Sequence, residues 1–329
     1  MSDAAGASAV AVSGAAPRPR HGYAVPLALF AALALAPVAA KLGPEGYILS
    51  LLTRVMILAI AAVSLDLILG YGGLISFGHA AYVGIGAYAV AIPMSHGHPE
   101  LALHLAAAAA ACALLALVTG AISLRTKGVY FIMITLAFGQ MVFFLTTSLA
   151  PYGGDDGLTL PGKSLVFGAR VFRSEGPFYY AVLACLAGVY GLCRAIVASR
   201  FGRVLRGTRE NAVRMAAIGF DPFRYQLAAY VVAGMIAGLA GVLLANQAEF
   251  VSPAYMTWQR SGEIIFMVVL GGIGSLHGAI IGAAAFLLLE EVLAGFTEHW
   301  KLIFGPLLIV VIILGRGGLI ALVARERDA

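Results

Sequence analysis

Charged side chains are scarce in this chain. Asp, Glu, Lys and Arg together make up 11% of its 329 residues, against about 25% in an ordinary soluble domain. Cysteine is scarce as well. Cys112, Cys185 and Cys193 each sit inside an apolar segment, where cysteine acts as a small core residue, so no disulfide framework is implied. No metal-ligand cluster stands out. His96 and His98 lie two apart in a short loop with no cysteine nearby, which reads as solvated loop and not as a metal site. No Ser/His/Asp set can be assembled into one site, so no residue is assigned a catalytic role.

Apolar surface takes the place of the missing charge. Hydrophobic residues make up 61% of the chain, and its mean hydropathy is +0.94. Sixty-one percent is about 200 residues, material for roughly ten membrane spans of about 20 each. A soluble domain so composed would turn large apolar patches to water. Soluble enzymes, nucleic-acid-binding modules and disordered proteins are therefore excluded. The net charge of +5 fits Arg and Lys collected on the cytoplasmic side of a membrane, not a polyanionic partner.

Ten apolar segments follow one another: 24–40, 47–69, 71–92, 101–124, 128–150, 177–198, 223–247, 261–275, 277–297 and 302–322. Uniform apolarity over some 20 residues suits helices and not the alternation of barrel strands. The expectation is an all-α polytopic membrane protein of about ten crossings, with a permease domain over 23–323. Residues 1–22, rich in Ala, Gly and Ser, read as a disordered cytoplasmic arm, and 324–329 as a cytoplasmic tail. The run Val25–Ala40 resembles a signal peptide ending near Val38-Ala39-Ala40. With nothing soluble after it, it reads as a retained first span. Counting from a cytoplasmic N-terminus, 13 Arg and Lys residues fall on the cytoplasmic side and 6 on the other. The basic-rich side is the cytoplasmic one. It includes loop 199–222, while loop 151–176 faces out.

Glycine is plentiful, 40 residues in all, and it clusters. Segments 71–92 and 261–275 are broken by it, and either could be re-entrant. Gly72-Gly73-Leu74-Ile75-Ser76 resembles Gly271-Gly272-Ile273-Gly274-Ser275, each followed within a few residues by a histidine (His79, His277). This is a faint internal repeat. Interrupted segments in corresponding places point to a transport site; close packing of helices through small residues is the other reading.

Loop 199–222 reads as a short helix over 203–218. Val204, Thr208, Ala212 and Met215 form an apolar stripe, and Arg206–Glu210 and Glu210–Arg214 are spaced as i,i+4 charge pairs. Gly219 is a helix stop. Asp221-Pro222 reads as the cap and first residue of the next span. Such a helix either docks into a groove on a partner or lies on anionic lipid.

Gly157–Ser164 matches the phosphate-loop pattern G-x-x-x-x-G-K-S. A phosphate loop follows a hydrophobic strand and opens a helix. Here a turn-rich stretch precedes the match and another follows it, on the outer side. The chain then has no ATPase machinery of its own, and energy must come from a partner.

Ionisable residues inside spans are expensive and mark function by default. Arg54, Asp66, His79, Glu263, Glu290 and Glu291 qualify. Asp66, Ser76 and His79 flank the break after Gly70 and are candidates for a translocation pathway, or else orient helices as buried structural groups. Arg54 and Asp66 lie about 18 Å apart along one helix and cannot pair within it. Glu263, a further pathway candidate, also suits a helix start. Glu290 and Glu291 approach the outer end of a span, in a solvated or interfacial place. Thr135 and Gln140 offer hydrogen bonds to a zwitterionic substrate or to a neighbouring helix.

Several blocks, in order from about residue 47 to 320, carry a resemblance. They are Leu65–His79, Gly84–Tyr88, Tyr130–Gly139, Gly153–Leu158, the loop Ser199-Arg-Phe-Gly-Arg…Arg209-Glu-Asn…Gly219, and Val269–Ser275. The chain resembles the inner-membrane permease family of branched-chain amino acid ABC importers (LivM-like). The resemblance implies that loop 199–219 is a coupling helix seated in a groove of a separate ATPase subunit. Arg203, Arg206, Arg209, Glu210 and Gly219 would be its coupling residues, Glu210 and Gly219 matching the motif's glutamate and glycine. Asn211-Ala212 stands where the general importer motif has two alanines. Also implied are a second permease subunit, two ATP-binding subunits that hold the only nucleotide, and a periplasmic substrate-binding protein. The substrate would be a branched-chain amino acid or a related small polar solute. The long outer loop 151–176 favours this half of the permease pair over its shorter sister. The alternative is an ion-coupled secondary transporter working through Asp66, His79 or Glu263.

Overall fold

The computed structural model describes residues 24–40 and 45–296, together with 302, 304–306 and 319. The expected arm 1–22, the tail 324–329 and all but those few positions of the last apolar segment lie outside the described residues. Ten helices are described: α1 (Ala24–Ala40), α2 (Glu45–Leu69), α3 (His79–Ser95), α4 (Leu101–Ser123), α5 (Val129–Thr147), α6 (Glu175–Ala198), α7 (Arg200–Ala217), α8 (Pro222–Ala248), α9 (Trp258–Gly271) and α10 (Leu276–Phe296). Two short strands, β1 (Leu158–Thr159) and β2 (Phe250–Val251), pair antiparallel with Leu158 opposite Val251.

Six of these helices are long and apolar enough to cross a membrane: α2, α4, α5, α6, α8 and α10. The helices α1 and α3, at 17 residues, and α9, at 14, are shorter. The two glycine-rich segments are not continuous helices. Residues 70–78 form turns and coil before α3 begins at His79, and 272–275 separate α9 from α10.

Burial sorts the bundle. In the most apolar window of α2 and of α8, 67% and 61% of residues are buried, against 22% in α4, α5 and α6. The first two therefore form the centre, and the others turn apolar side chains such as Tyr130, Met141 and Phe144 outward. Packing at the centre runs through small residues. A Cβ on Gly86 of α3 would fall on the carbonyl oxygen of Gly238 in α8, and one on Gly271 on that of Gly278. Backbones approach this closely only where no side chain intervenes.

Arg54 and Asp66 share α2 but take partners elsewhere. Arg54 Nη2 lies 3.9 Å from Glu290 Oε1, and Tyr47 donates to Glu291. Both glutamates thus tie α10 to the first half of α2.

The phosphate-loop look-alike folds as a scaffold. Its first half enters β1, and Ser164 is buried, with its N–H donating to Asn246 Oδ1 at 2.6 Å and its hydroxyl 2.8 Å from His104 Nδ1. No helix opens at Ser164, so its N–H groups are not gathered to receive phosphate.

Candidate functional site: a basic helix latched to two broken segments

The helix expected over 203–218 spans Arg200–Ala217, starting three residues earlier because Ser199 Oγ accepts from Gly202 N. Val204, Leu205 and Thr208 are buried against the bundle, and Ala212 and Met215 are half-buried, so the apolar stripe faces inward. At the far end Phe220 N donates to Met215 O and Gly219 N to Ala216 O. This is the paired closure that needs a left-handed residue after the last turn. Gly219 supplies it at φ +92°. Asp221 then caps α8 through Phe223 N at 3.1 Å, with Pro222 in its first turn.

One expectation fails within α7. Asn211 leaves helical geometry at φ −157°, ψ 96°, and its side chain accepts from Arg214 N at 2.9 Å. The helix therefore restarts there, and the i,i+4 spacing of Glu210 and Arg214 no longer sets them on one face. Neither that pair nor Arg206–Glu210 forms an ion pair among the described residues. Glu210 and Arg203 are exposed, while Arg206 bends back to the carbonyls of Gly202 and Val197.

Arg209, though exposed, ties α7 to the bundle. Its Nη1 donates to Gly70 O, at the break after α2, and its stem covers Gly73, where a Cβ would lie 2.9 Å from Arg209 Cγ. Gly70 in turn abuts Gly274, and a Cβ on Gly70 would strike both Gly274 and the Asp66 carboxylate. Asp66 is fully buried, and its Oδ1 accepts from Gly274 N at 2.8 Å. The two glycine-broken segments thus meet at one point, and α7 is fastened there. A groove of about 910 Å³ runs beside it, lined by Gly72, Gly73, Lys127, Arg209, Ala212 and Asp221 among others.

The trio Asp66, Ser76 and His79 is fully buried but is not one cluster. His79 Nε2 lies 2.8 Å from Ser64 Oγ, a partner that sequence spacing does not reveal. Ser76 Oγ has no partner among the described residues. A helix that starts inside a membrane frees N–H groups that must be satisfied by neighbours. Two hydroxyls do this at the start of α3. Thr135 Oγ1 accepts from Phe77 N at 3.3 Å, and Ser261 Oγ from Ala80 N at 3.0 Å. Thr135 therefore serves a neighbouring segment, and Ser261 is a residue that sequence reading missed. Gln140 is half-buried, with no hydrogen bond among the described residues. Glu263 lies away from this cluster, in the second turn of α9, paired with Arg260 at 2.6 Å.

Comparison with known proteins adds the family. The chain is similar to the permease protein LivM of the high-affinity branched-chain amino acid transport system of Salmonella typhimurium, 28% identical over 82% of this chain and 68% of that one. The Escherichia coli LivM is 27% identical with the same coverage. The Salmonella typhimurium LivH permease protein is 25% identical over 80% of this chain and 90% of its own length. No solved structure matches. The family model described as the permease component of branched-chain amino acid transport systems matches residues 47–313, and the chain belongs to that family of multi-pass membrane permeases.

Proposed function

We propose that this chain is one permease subunit of an ABC importer in a bacterial inner membrane, moving a branched-chain amino acid or a related small polar solute inward. It works beside a second permease subunit and receives substrate from a periplasmic binding protein. The energy comes from two partner ATPases that bind the ATP, and α7 lies on their side of the membrane.

The observation that carries this reading is the Arg209–Gly70 contact. It joins an exposed basic helix to the point where both broken segments meet. The outer face of α7 supports a partner more than a lipid surface. Val213 and Ile218 are 77% and 62% exposed beside the exposed charges of Arg203, Glu210 and Arg214. Exposed apolar side chains set among charges of both signs suit a protein groove, whereas a lipid-bound helix separates an apolar face from a basic one. When the ATPases close, α7 moves, and Arg209 carries the motion to Gly70, Asp66 and Gly274. The broken segments shift relative to one another and change access through the bundle.

Uptake of labelled L-leucine into proteoliposomes holding the complete set of subunits tests this. ATP-dependent uptake that persists after ion gradients are collapsed is the expected result. Uptake by the permease without ATPases, following a proton or sodium gradient, would establish a secondary transporter instead.

A further inference from the structure

The groove of about 910 Å³ beside α7 is also walled by the start of α5. Thr126, Lys127 and Gly128 line it from the link between α4 and α5, and Leu124, Phe131 and Ile132 from the ends of those helices. Arg203, Glu210 and Arg214 are not part of its lining, so its charge is set by other residues. Lys127 and Arg209 supply two positive charges, and neither forms an ion pair among the described residues. Asp221 lines the groove as well, but its carboxylate is matched by Arg224 at 3.0 Å and caps α8. Of the Arg209 nitrogens, Nη1 alone has an acceptor among the described residues. The lining is therefore positive in excess, and an anion would balance it.

Two further donors line the same space. Thr208 is 4% exposed, and its Oγ1 has no partner among the described residues, although a buried hydroxyl ordinarily finds one. The start of α5 opens there too. Gly128 precedes that helix at φ +61° with no side-chain cap, and a Cβ on it would meet nothing within 4 Å. The first N–H groups of a helix have no partner inside it and favour an anion. Depth decides which anion. The 19 residues of α5 span about 28 Å, close to the hydrocarbon thickness of about 30 Å. Its exposed apolar side chains begin in the first turn, with Val129, Tyr130 and Met133. Hydrocarbon therefore begins at that turn, and Lys127 and Gly128 stand at the level of the lipid headgroups. A lipid whose acyl chains lie along Val129 and Met133 brings its phosphate to Gly128.

We propose that this groove holds the headgroup of an anionic phospholipid. Its phosphate is met by the Lys127 ammonium, the Arg209 guanidinium, the Thr208 hydroxyl and the free N–H groups at the start of α5, and its acyl chains lie against α5. The lipid then fills the space between α5 and α7 beside the Arg209–Gly70 contact. The site requires nothing of the transport reading above, and its test is read without ATP.

The measurement is protection of an introduced thiol in the complete transporter in lipid nanodiscs, with the uncharged reagent N-ethylmaleimide. Ala212→Cys lines the groove, and Gln226→Cys is a second reporter should the first fold poorly. Cys112 and Cys193 are buried and Cys185 half-buried, and labelling of the unsubstituted transporter is subtracted as their background. Phosphatidylglycerol added to phosphatidylcholine discs should slow labelling, about fivefold at four times the half-protecting fraction. Inorganic phosphate in pure phosphatidylcholine discs should leave the rate unchanged. Lys127→Gln and Thr208→Val, each in the reporter background, should raise the half-protecting fraction about fivefold and leave labelling in pure phosphatidylcholine as it was. A hydroxyl with only a structural role would not move that fraction. Equal rates in both disc compositions with both reporters, protection by inorganic phosphate equal to that by the lipid, or protection undiminished in both variants overturns the proposal.

Discussion

Asp66 Oδ1 accepts a hydrogen bond from the backbone N–H of Gly274 at 2.8 Å, across 208 positions of sequence. The carboxylate sits in the last turn of α2, and the glycine in the link between α9 and α10. Removing the acceptor leaves a half-buried N–H unmatched, at a cost of about 1 kcal/mol. Asp66→Ala should therefore lower the thermal midpoint of the purified permease, and Asp66→Asn, which keeps an acceptor oxygen, should lower it less. Equal midpoints for Asp66→Ala and the parent protein would show that this contact does not hold the two breaks together.

Ser261 performs the equivalent service for α3. It accepts from Ala80 N at the buried start of a helix that lacks a side-chain cap of its own. Ser261→Ala should cost about 1 kcal/mol, as losing a helix cap does, and speed amide exchange in the first turn of α3. Exchange there no faster than in the parent protein would mean that the hydroxyl is not its cap.

Arg209 tests the latch. Arg209→Ala should leave the protein inserted and the transporter assembled, with ATP hydrolysis continuing while uptake falls about tenfold, the equivalent of 1.4 kcal/mol of lost coupling. Unchanged uptake per ATP would remove Arg209 from the transmission path.

Lys163 tests the phosphate-loop look-alike. Its Nζ lies 4.9 Å from the centre of the Phe178 ring, a contact worth about 0.5–1 kcal/mol at an exposed site. Lys163→Ala should leave ATP-driven uptake intact and reduce stability only slightly. Loss of ATP binding by the isolated permease in this variant would reinstate a nucleotide site.

Local signals were legible in the sequence, and distant pairings were not. Gly219 and Asp221-Pro222 end one helix and begin the next because each acts within a few residues of itself. The clustered glycines marked both breaks for the same reason. The partners of Arg54, Asp66 and His79 come from α10, from the link between α9 and α10, and from α2, and nothing in their spacing names Glu290, Gly274 or Ser64. Of the charge pairs expected along α7, Glu210–Arg214 was lost to Asn211, whose side chain competes for a local N–H in the way that makes asparagine a poor helix former, while Arg206 turns from Glu210 to the carbonyls of Gly202 and Val197.

The central claim, as proposed above, is that α7 transmits the motion of a partner ATPase to the broken segments, and Glu210 is an exposed charge on that helix. The most direct measurement is uptake and ATP hydrolysis side by side in proteoliposomes of the complete transporter, with and without Glu210→Lys. The account predicts a normally inserted permease in which uptake per ATP hydrolysed collapses. Uptake and hydrolysis both equal to those of the parent transporter would contradict it.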